Sequence, residues 1–213
     1  YIAARQSCEG GTYSEAVTVV LPTSVVELPY SQNFDDTEAG HGYTLSGTGT
    51  NLWAVGTAAN NTTDDAGILT ENGRALYISS DNGTTTNYNN SSTSNAVAKS
   101  PAIAFGEAGS FNLSFDYKVG GESGCDYLSV YLLPYGAEPS TSYRILSRAY
   151  NVSSWENFAT TLSADYSNGI YQLVFEWKND YSQGNQPGAI VDNIRIESLS
   201  CVPVSSVAAT LVE

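Results

Sequence analysis

The sequence of 213 residues has no methionine, one histidine (His41), three cysteines and only eight Lys and Arg residues. Each scarcity excludes something. Eight cations against 22 Asp and Glu leave a formal net charge of −14. Nucleic acid is therefore not an expected partner, because phosphate binding needs a basic footprint. Acidic surface also serves plain solubility, and most of the carboxylates need no other explanation. Cys8, Cys125 and Cys201 lack the close spacing of a zinc site. An odd number leaves at least one of them unpaired within the chain. No run of eighteen apolar residues exists, so no membrane insertion is expected. No signal peptide is visible and the first residue is Tyr1, which leads us to expect a mature or excised fragment of a longer protein.

What is abundant is tyrosine, with 15 residues, beside 19 glycines and many Ser, Thr and Asn. That mixture favours strands separated by turns. Hydrophobic residues make up 41% of the chain, a globular value with ample material for a core.

Period-two alternation marks the strands. FNLSFDY puts Phe111, Leu113, Phe115 and Tyr117 on one face. DYLSVYLL aligns Leu128, Val130 and Leu132, with Asp126 in phase at their edge. GIYQLVFEWKND aligns Tyr171, Leu173, Phe175 and Trp177 against Gln172, Val174 and Glu176. RALYISS and Trp155 to Leu162 read as further strands, and residues 57–66 and 79–95 as long polar loops. No convincing amphipathic helix is present. The expected fold class is all-β, a two-sheet antiparallel β-sandwich of jelly-roll form.

AIVDNIRI, residues 189–196, carries the sharpest chemical signal. Strict alternation places Asp192 on the face of Ile190, Ile194 and Ile196. A carboxylate there needs a cation or a set of donors. Asp35 and Asp36, after Asn33 and Phe34, supply acid near the start of the same domain. A structural calcium ion joining the two ends is expected. It takes about six to eight oxygen ligands, and backbone carbonyls can complete the set. The alternative is that Asp192 accepts backbone amides or pairs with Arg195 or a lysine. Asp64 and Asp65 read as a solvated turn, and the lack of a DxDxDG run excludes an EF-hand loop.

Catalytic arrangements find little support. His41 lies between two glycines without a GxSxG elbow, and nothing places it beside Cys125. Glycosidase-like pairs can be drawn from Asp116, Asp126 and Glu176, but an acidic chain offers such pairs by chance. Glu176 reads as an exposed strand residue. The chain is not expected to be an enzyme. Sequons begin at Asn60, Asn82, Asn89 and Asn90, which an Asn- and Thr-rich sequence produces by coincidence.

Taken in order, LPYSQNFDD, NLWAV, ALYIS, AVAKSPAI, FNLSFDYKVGG, CDYLSVYLLP, SWENFATTL, YQLVFEWKND and PGAIVDNIRI span roughly residues 28–198. This series resembles the cleaved-adhesin or choice-of-anchor domains of Bacteroidetes surface proteins, MAM-like jelly rolls of the gingipain haemagglutinin-adhesin type. YIAARQSCEGGTYSEAVTV resembles the last two strands of a fibronectin type III module, and CVPVSSVAATLVE the start of another. The resemblance implies three segments: a hairpin of a preceding module over 1–22, the adhesin-type domain over 23–199, and the start of a following module over 200–213. It implies structural calcium, with Asp192 matching the final-strand aspartate and Asp35 or Asp36 the acidic opening. Asp126 is a further candidate ligand. Cys8 and Cys201 would pair with cysteines of neighbouring modules or with each other, and Cys125 would be a small buried residue. Trp155 falls where the family places a core residue. Trp53 and the tyrosines Tyr88, Tyr135, Tyr143 and Tyr181 are left as candidates for exposure.

The function so implied is that of a secreted or cell-surface adhesin, noncatalytic and calcium-stabilised. It would attach to a host surface protein or glycan beside other modules of the same polypeptide. A carbohydrate-binding module of a larger secreted hydrolase or protease is the alternative, and a structural spacer a third.

Overall fold

The computed structural model describes residues 21–36, 39–59, 62–63, 69–70 and 73–199. The expected hairpin before residue 21, the expected module start after 199, Cys8, Cys201, Asp64 and Asp65 lie outside the described residues. In chain order the strands are β1 (Val26–Glu27), β2 (Tyr30–Gln32), β3 (Thr44–Thr48), β4 (Leu52–Gly56) and β5 (Thr62–Thr63). Next come β6 (Leu69–Thr70), β7 (Ala75–Ser79), β8 (Ser94–Lys99), β9 (Ile103–Ala104) and β10 (Ser110–Val119). The last five are β11 (Tyr127–Pro134), β12 (Arg144–Ala149), β13 (Val152–Ser163), β14 (Ile170–Asn179) and β15 (Ile190–Leu199).

Two sheets stack face to face. The seven-stranded sheet runs β3-β8-β14-β11-β12, with β9 and then β1 continuing beside β8 along β14. The six-stranded sheet runs β4-β7-β15-β10-β13, and β2 shares with β7 one side of β15. Within both sheets every pairing is antiparallel except β1 with β9. This is the two-sheet sandwich of jelly-roll form that the strand pattern implied. Strands β5 and β6 form a separate two-stranded ribbon.

The core lies between the sheets because the alternating residues of both inner faces meet there. Phe111, Leu113 and Phe115 of β10 are fully buried, as are Leu128 and Val130 of β11 and Leu173, Phe175 and Trp177 of β14. Phe115 sits at the centre. Its ring meets Phe175 edge-on at 5.4 Å, stacks on Phe158 at 4.9 Å and touches Tyr117 at 6.0 Å. Each such side chain contributes roughly 1.5–3 kcal/mol by burial.

β15 departs from strict alternation. Ser114 of β10 faces Arg195, but Asp116, two residues on, faces Asp192, three residues back. The extra residue makes a β-bulge, with Asn193 in the left-handed region at φ 49°. Val191, Ile194 and Ile196 join the central core, whereas Ile190 packs with Ala75, Tyr77 and half-buried Trp155 in a separate cluster. By alternation from Ile190, Asp192 points away from the central core. The expectation that it shares a face with Ile194 and Ile196 is corrected by this bulge. Trp155 is likewise on the Ile190 side rather than in the central core.

Candidate functional site

The outward side of the seven-stranded sheet carries a bonded group of polar and charged side chains, and strand register fixes its layout. One cross-strand row reads Tyr127, Lys178, Asn95 and Thr48. The next reads Ser129, Glu176, Val97 and Ser46. A third reads Arg144, Tyr131, Val174, Lys99 and Thr44. Rows two residues apart are separated by about 7 Å and neighbouring strands by about 4.8 Å. These residues face outward because their strand neighbours Leu128, Val130, Phe175, Trp177, Ala96 and Ala98 face the core.

The middle of this grid is tightly organised. Tyr131 donates its hydroxyl to Glu176 Oε2 at 2.9 Å, and Lys178 Nζ lies 3.1 Å from Glu176 Oε1. Glu176 is only 6% exposed, so the expectation of an exposed strand residue is corrected. Its neighbours on the sheet shield it while two donors hold its charge. Burial alone would pull the Lys178 ammonium down. The bond to Glu176 and the nearby charge outweigh that and raise it. Burial, then the bond to Glu176, push the Tyr131 phenol up, so it stays a donor. At one corner the Arg148 guanidinium lies 5.0 Å from the centre of the Tyr127 ring. At the other end Leu133, Val174 and Tyr131 close into an apolar cluster with Val97 and Ala137.

Of these residues the sequence singles out Glu176 alone, as one of three carboxylates for a glycosidase-like pair, and it gives none of them a binding role. The signal was present only as the phase opposite to the core in DYLSVYLL and FEWKND. Which outward residues become neighbours depends on pairing between strands about 45 residues apart, which periodicity does not encode.

Of the expected metal ligands, Asp35 and Asp192 lie where β2 and β7 meet along one side of β15, whereas Asp126 belongs to the other sheet. Asp35 is exposed on the loop after β2 and accepts the Arg74 amide at Oδ1, 2.9 Å away. Asp36 Oδ1 lies 2.9 Å from Nδ1 of His41, whose side chain is fully enclosed. Asp192 is 1% exposed, accepts the Asn193 amide at 2.8 Å, and stands opposite Asp116 in the six-stranded sheet. Asp116 in turn accepts the side-chain amides of Asn157 at 2.8 Å and Asn193 at 2.9 Å. Asp126 precedes β11 in the other sheet. It is fully buried, with Oδ2 accepting the Tyr88 hydroxyl at 2.6 Å and Oδ1 the Asp180 amide at 2.9 Å. Burial raises its pKa against those two donors, which lower it. Among the described residues, no three His, Cys, Asp or Glu side chains are grouped to hold a metal ion.

The aromatic candidates divide. Trp53 and Tyr88 are buried, at 5% and 3% exposure, which corrects their place among exposed aromatics. Trp53 Nε1 donates to the Ala96 carbonyl at 3.1 Å, and Tyr88 packs edge-on against Trp177 at 5.0 Å. Tyr143 and Tyr181 are exposed, Tyr135 half-buried. Cys125 is exposed and free, not buried as expected, because it sits in the turn between the short bridge at Glu122 and Asp126.

No family model and no curated protein sequence matches the chain. Among solved structures, the K1 cleaved adhesin domain of Lys-gingipain from Porphyromonas gingivalis W83 is similar over 80% of this chain and 98% of its own, at 13% identity and TM-score 0.47. A carbohydrate-binding module described as belonging to the β-sandwich superfamily is similar over 81% of this chain and 63% of its own, at 17% identity and TM-score 0.46. The enzymatically active domain of tailspike protein 4 from bacteriophage CBA120 is similar over 78% of this chain at 14% identity and TM-score 0.47. This chain spans only 20% of that tailspike chain. These likenesses are of fold alone, and the function of this chain is read from its own residues.

Proposed function

We propose that the chain is a noncatalytic binding module that holds a saccharide on the outward side of its seven-stranded sheet. The observation that carries this reading is the Tyr131–Glu176–Lys178 group, a buried carboxylate with fixed donors beside Tyr127 and Arg148. Sugar hydroxyls need donors and acceptors held at set positions, and a sheet supplies them rigidly. The placement of Asp116, Asp126 and Glu176 gives a hydrolytic pair little support. Asp116 and Glu176 are on different sheets, and both oxygens of Asp126 are bonded within the fold. In an adhesin or a module of a larger secreted protein, this sheet would be the attachment surface, at a cell surface or outside the cell. No helix among the described residues is long and apolar enough to cross a membrane. A glycan array tests the reading: binding to a defined set of glycans is expected, and it should be lost in Tyr127→Ala with the melting temperature unchanged. Binding that survives Tyr127→Ala and Glu176→Gln together places the ligand elsewhere, and no binding at all favours a spacer.

Calcium stabilisation belongs to the same proposal, centred on Asp192. Two carboxylates directly opposite one another on a sheet set oxygens close enough to share one hard cation. Asp192 and Asp116 stand in that relation. A hard cation bound there would stabilise the folded state by mass action. Chelator is expected to lower the melting temperature, and Asp192→Ala to remove most of that response. An unchanged melting curve in chelator counts against the ion.

A further inference from the structure

We infer that the saccharide bound on this sheet is acidic, carrying carboxylate or sulfate groups; the inference rests on the binding reading above. The sequence holds eight Lys and Arg residues, and four of them, Lys99, Arg144, Arg148 and Lys178, stand on this one outward face. Register places Lys99 and Arg144 in one row and Lys178 in another, and Arg148 lies over Tyr127 at the end of that second row. Glu176 is the one carboxylate in the three rows, and Lys178 already neutralises it. Lys99, Arg144 and Arg148 make no ion pair with a carboxylate among the described residues.

Three uncompensated cations on one face are unexpected in a chain of net charge −14. Solubility does not require them there, since the acidic excess already provides it. Acidic groups on the opposite sheet do not cancel them either. The Debye length is about 8 Å at physiological ionic strength, shorter than the thickness of two stacked sheets with their side chains. The face is therefore locally positive within a negative molecule. Its corner cations span about 14 Å along the strands and a similar distance across them. That span suits several anionic groups repeated along a polymer better than a single small anion. Two of the three uncompensated cations are arginines, whose planar fork donates two parallel hydrogen bonds to a carboxylate or sulfate. Asn95, exposed between them, adds a neutral amide for the sugar hydroxyls.

Titration calorimetry tests this with heparin as the sulfated probe, polygalacturonate as the carboxylated probe and dextran as the neutral control. Binding of at least one acidic polymer is expected, weakening steeply between 50 mM and 500 mM NaCl. Lys99→Gln with Arg144→Gln, and separately Arg148→Gln, should each weaken it roughly fivefold or more. Lys118→Gln, on β10 of the other sheet, should leave it unchanged. Preference between the two acidic probes identifies the anionic group. Binding to neutral glycans alone, insensitive to salt and to the arginine variants, overturns the acidic ligand while leaving the binding module intact. Absence of binding to every glycan overturns both.

Discussion

Asn51 is a demanding test of how this sandwich is closed. It is fully buried in the loop before β4, and its side chain makes three good hydrogen bonds. Oδ1 accepts the Asn89 amide at 2.7 Å, and Nδ2 donates to the Asn89 carbonyl at 3.0 Å and to Asn179 Oδ1 at 2.9 Å. Asn179 also accepts the Trp177 indole at 3.1 Å and donates to the Ser92 carbonyl at 2.7 Å. Two amides thus tie the polar loop around 89–92 to the end of β14. At about 1 kcal/mol net for each bond, Asn51→Ala should cost about 3 kcal/mol. For a chain of this size that lowers the melting temperature by about 6–12 °C. Circular dichroism melts at pH 7 measure it directly. Asn51→Asp sharpens the test, because it keeps the acceptor for Asn89 but sets a second acceptor against Asn179 Oδ1 and the Asn89 carbonyl. The introduced acid should have a raised folded pKa. Its stability is then retained below the unfolded value, near about 3.9, and lost as pH rises through the folded one. A melting temperature for Asn51→Ala within about 2 °C of wild type would refute the reasoning, by showing that water replaces these bonds at no cost.

Asp126→Ala orphans the Tyr88 hydroxyl and the Asp180 amide and should cost about 2–5 kcal/mol in urea unfolding. Burial raises the Asp126 pKa in the folded state, so its contribution is fully present below the unfolded value and is lost as pH rises through the folded one. Asp126→Asn should flatten that part of the stability–pH profile. Gly184 has φ +94°, and a side-chain carbon there would run into the Tyr88 hydroxyl and Asp126 Oδ2. Gly184→Ala should therefore cost about 1–3 kcal/mol from backbone strain, plus the clash, read as a lower denaturation midpoint. Phe115→Ala removes the ring that joins Phe158 to Phe175 and should cost about 3–5 kcal/mol, with tryptophan emission reporting the loosened core.

The inner faces were legible because alternate residues of β10, β11 and β14 enter the central core, and a long apolar phase admits one reading. β15 was misread at one point only. A single additional residue is invisible to pattern counting, yet it turns Asp192 from the Ile194 side to the Ile190 side. Tyr88 lay in a polar loop and looked free. It is buried because Asp126 and Trp177, far off in sequence, receive its hydroxyl and its ring. Glu176 was placed on the correct face but given the wrong exposure, since outward is not the same as solvated when Tyr131 and Lys178 crowd the same side. The binding grid was unreadable for a related reason: each of its members is ordinary alone, and only register assembles them.

The pairing of β2 with β15 has a mechanical consequence. Tyr30, which opens the former strand, lies across from Ile196, near the close of the latter, so the backbone comes in and goes out at one edge of the body. Tension drawn through both flanks would load these hydrogen bonds one after another, as a zip opens, instead of all together in shear. Among the described residues, only the two-residue contact of β1 with β9 lies upstream to share that load. Under pulling, the fold should let go at this seam first, long before the aromatic interior feels any strain.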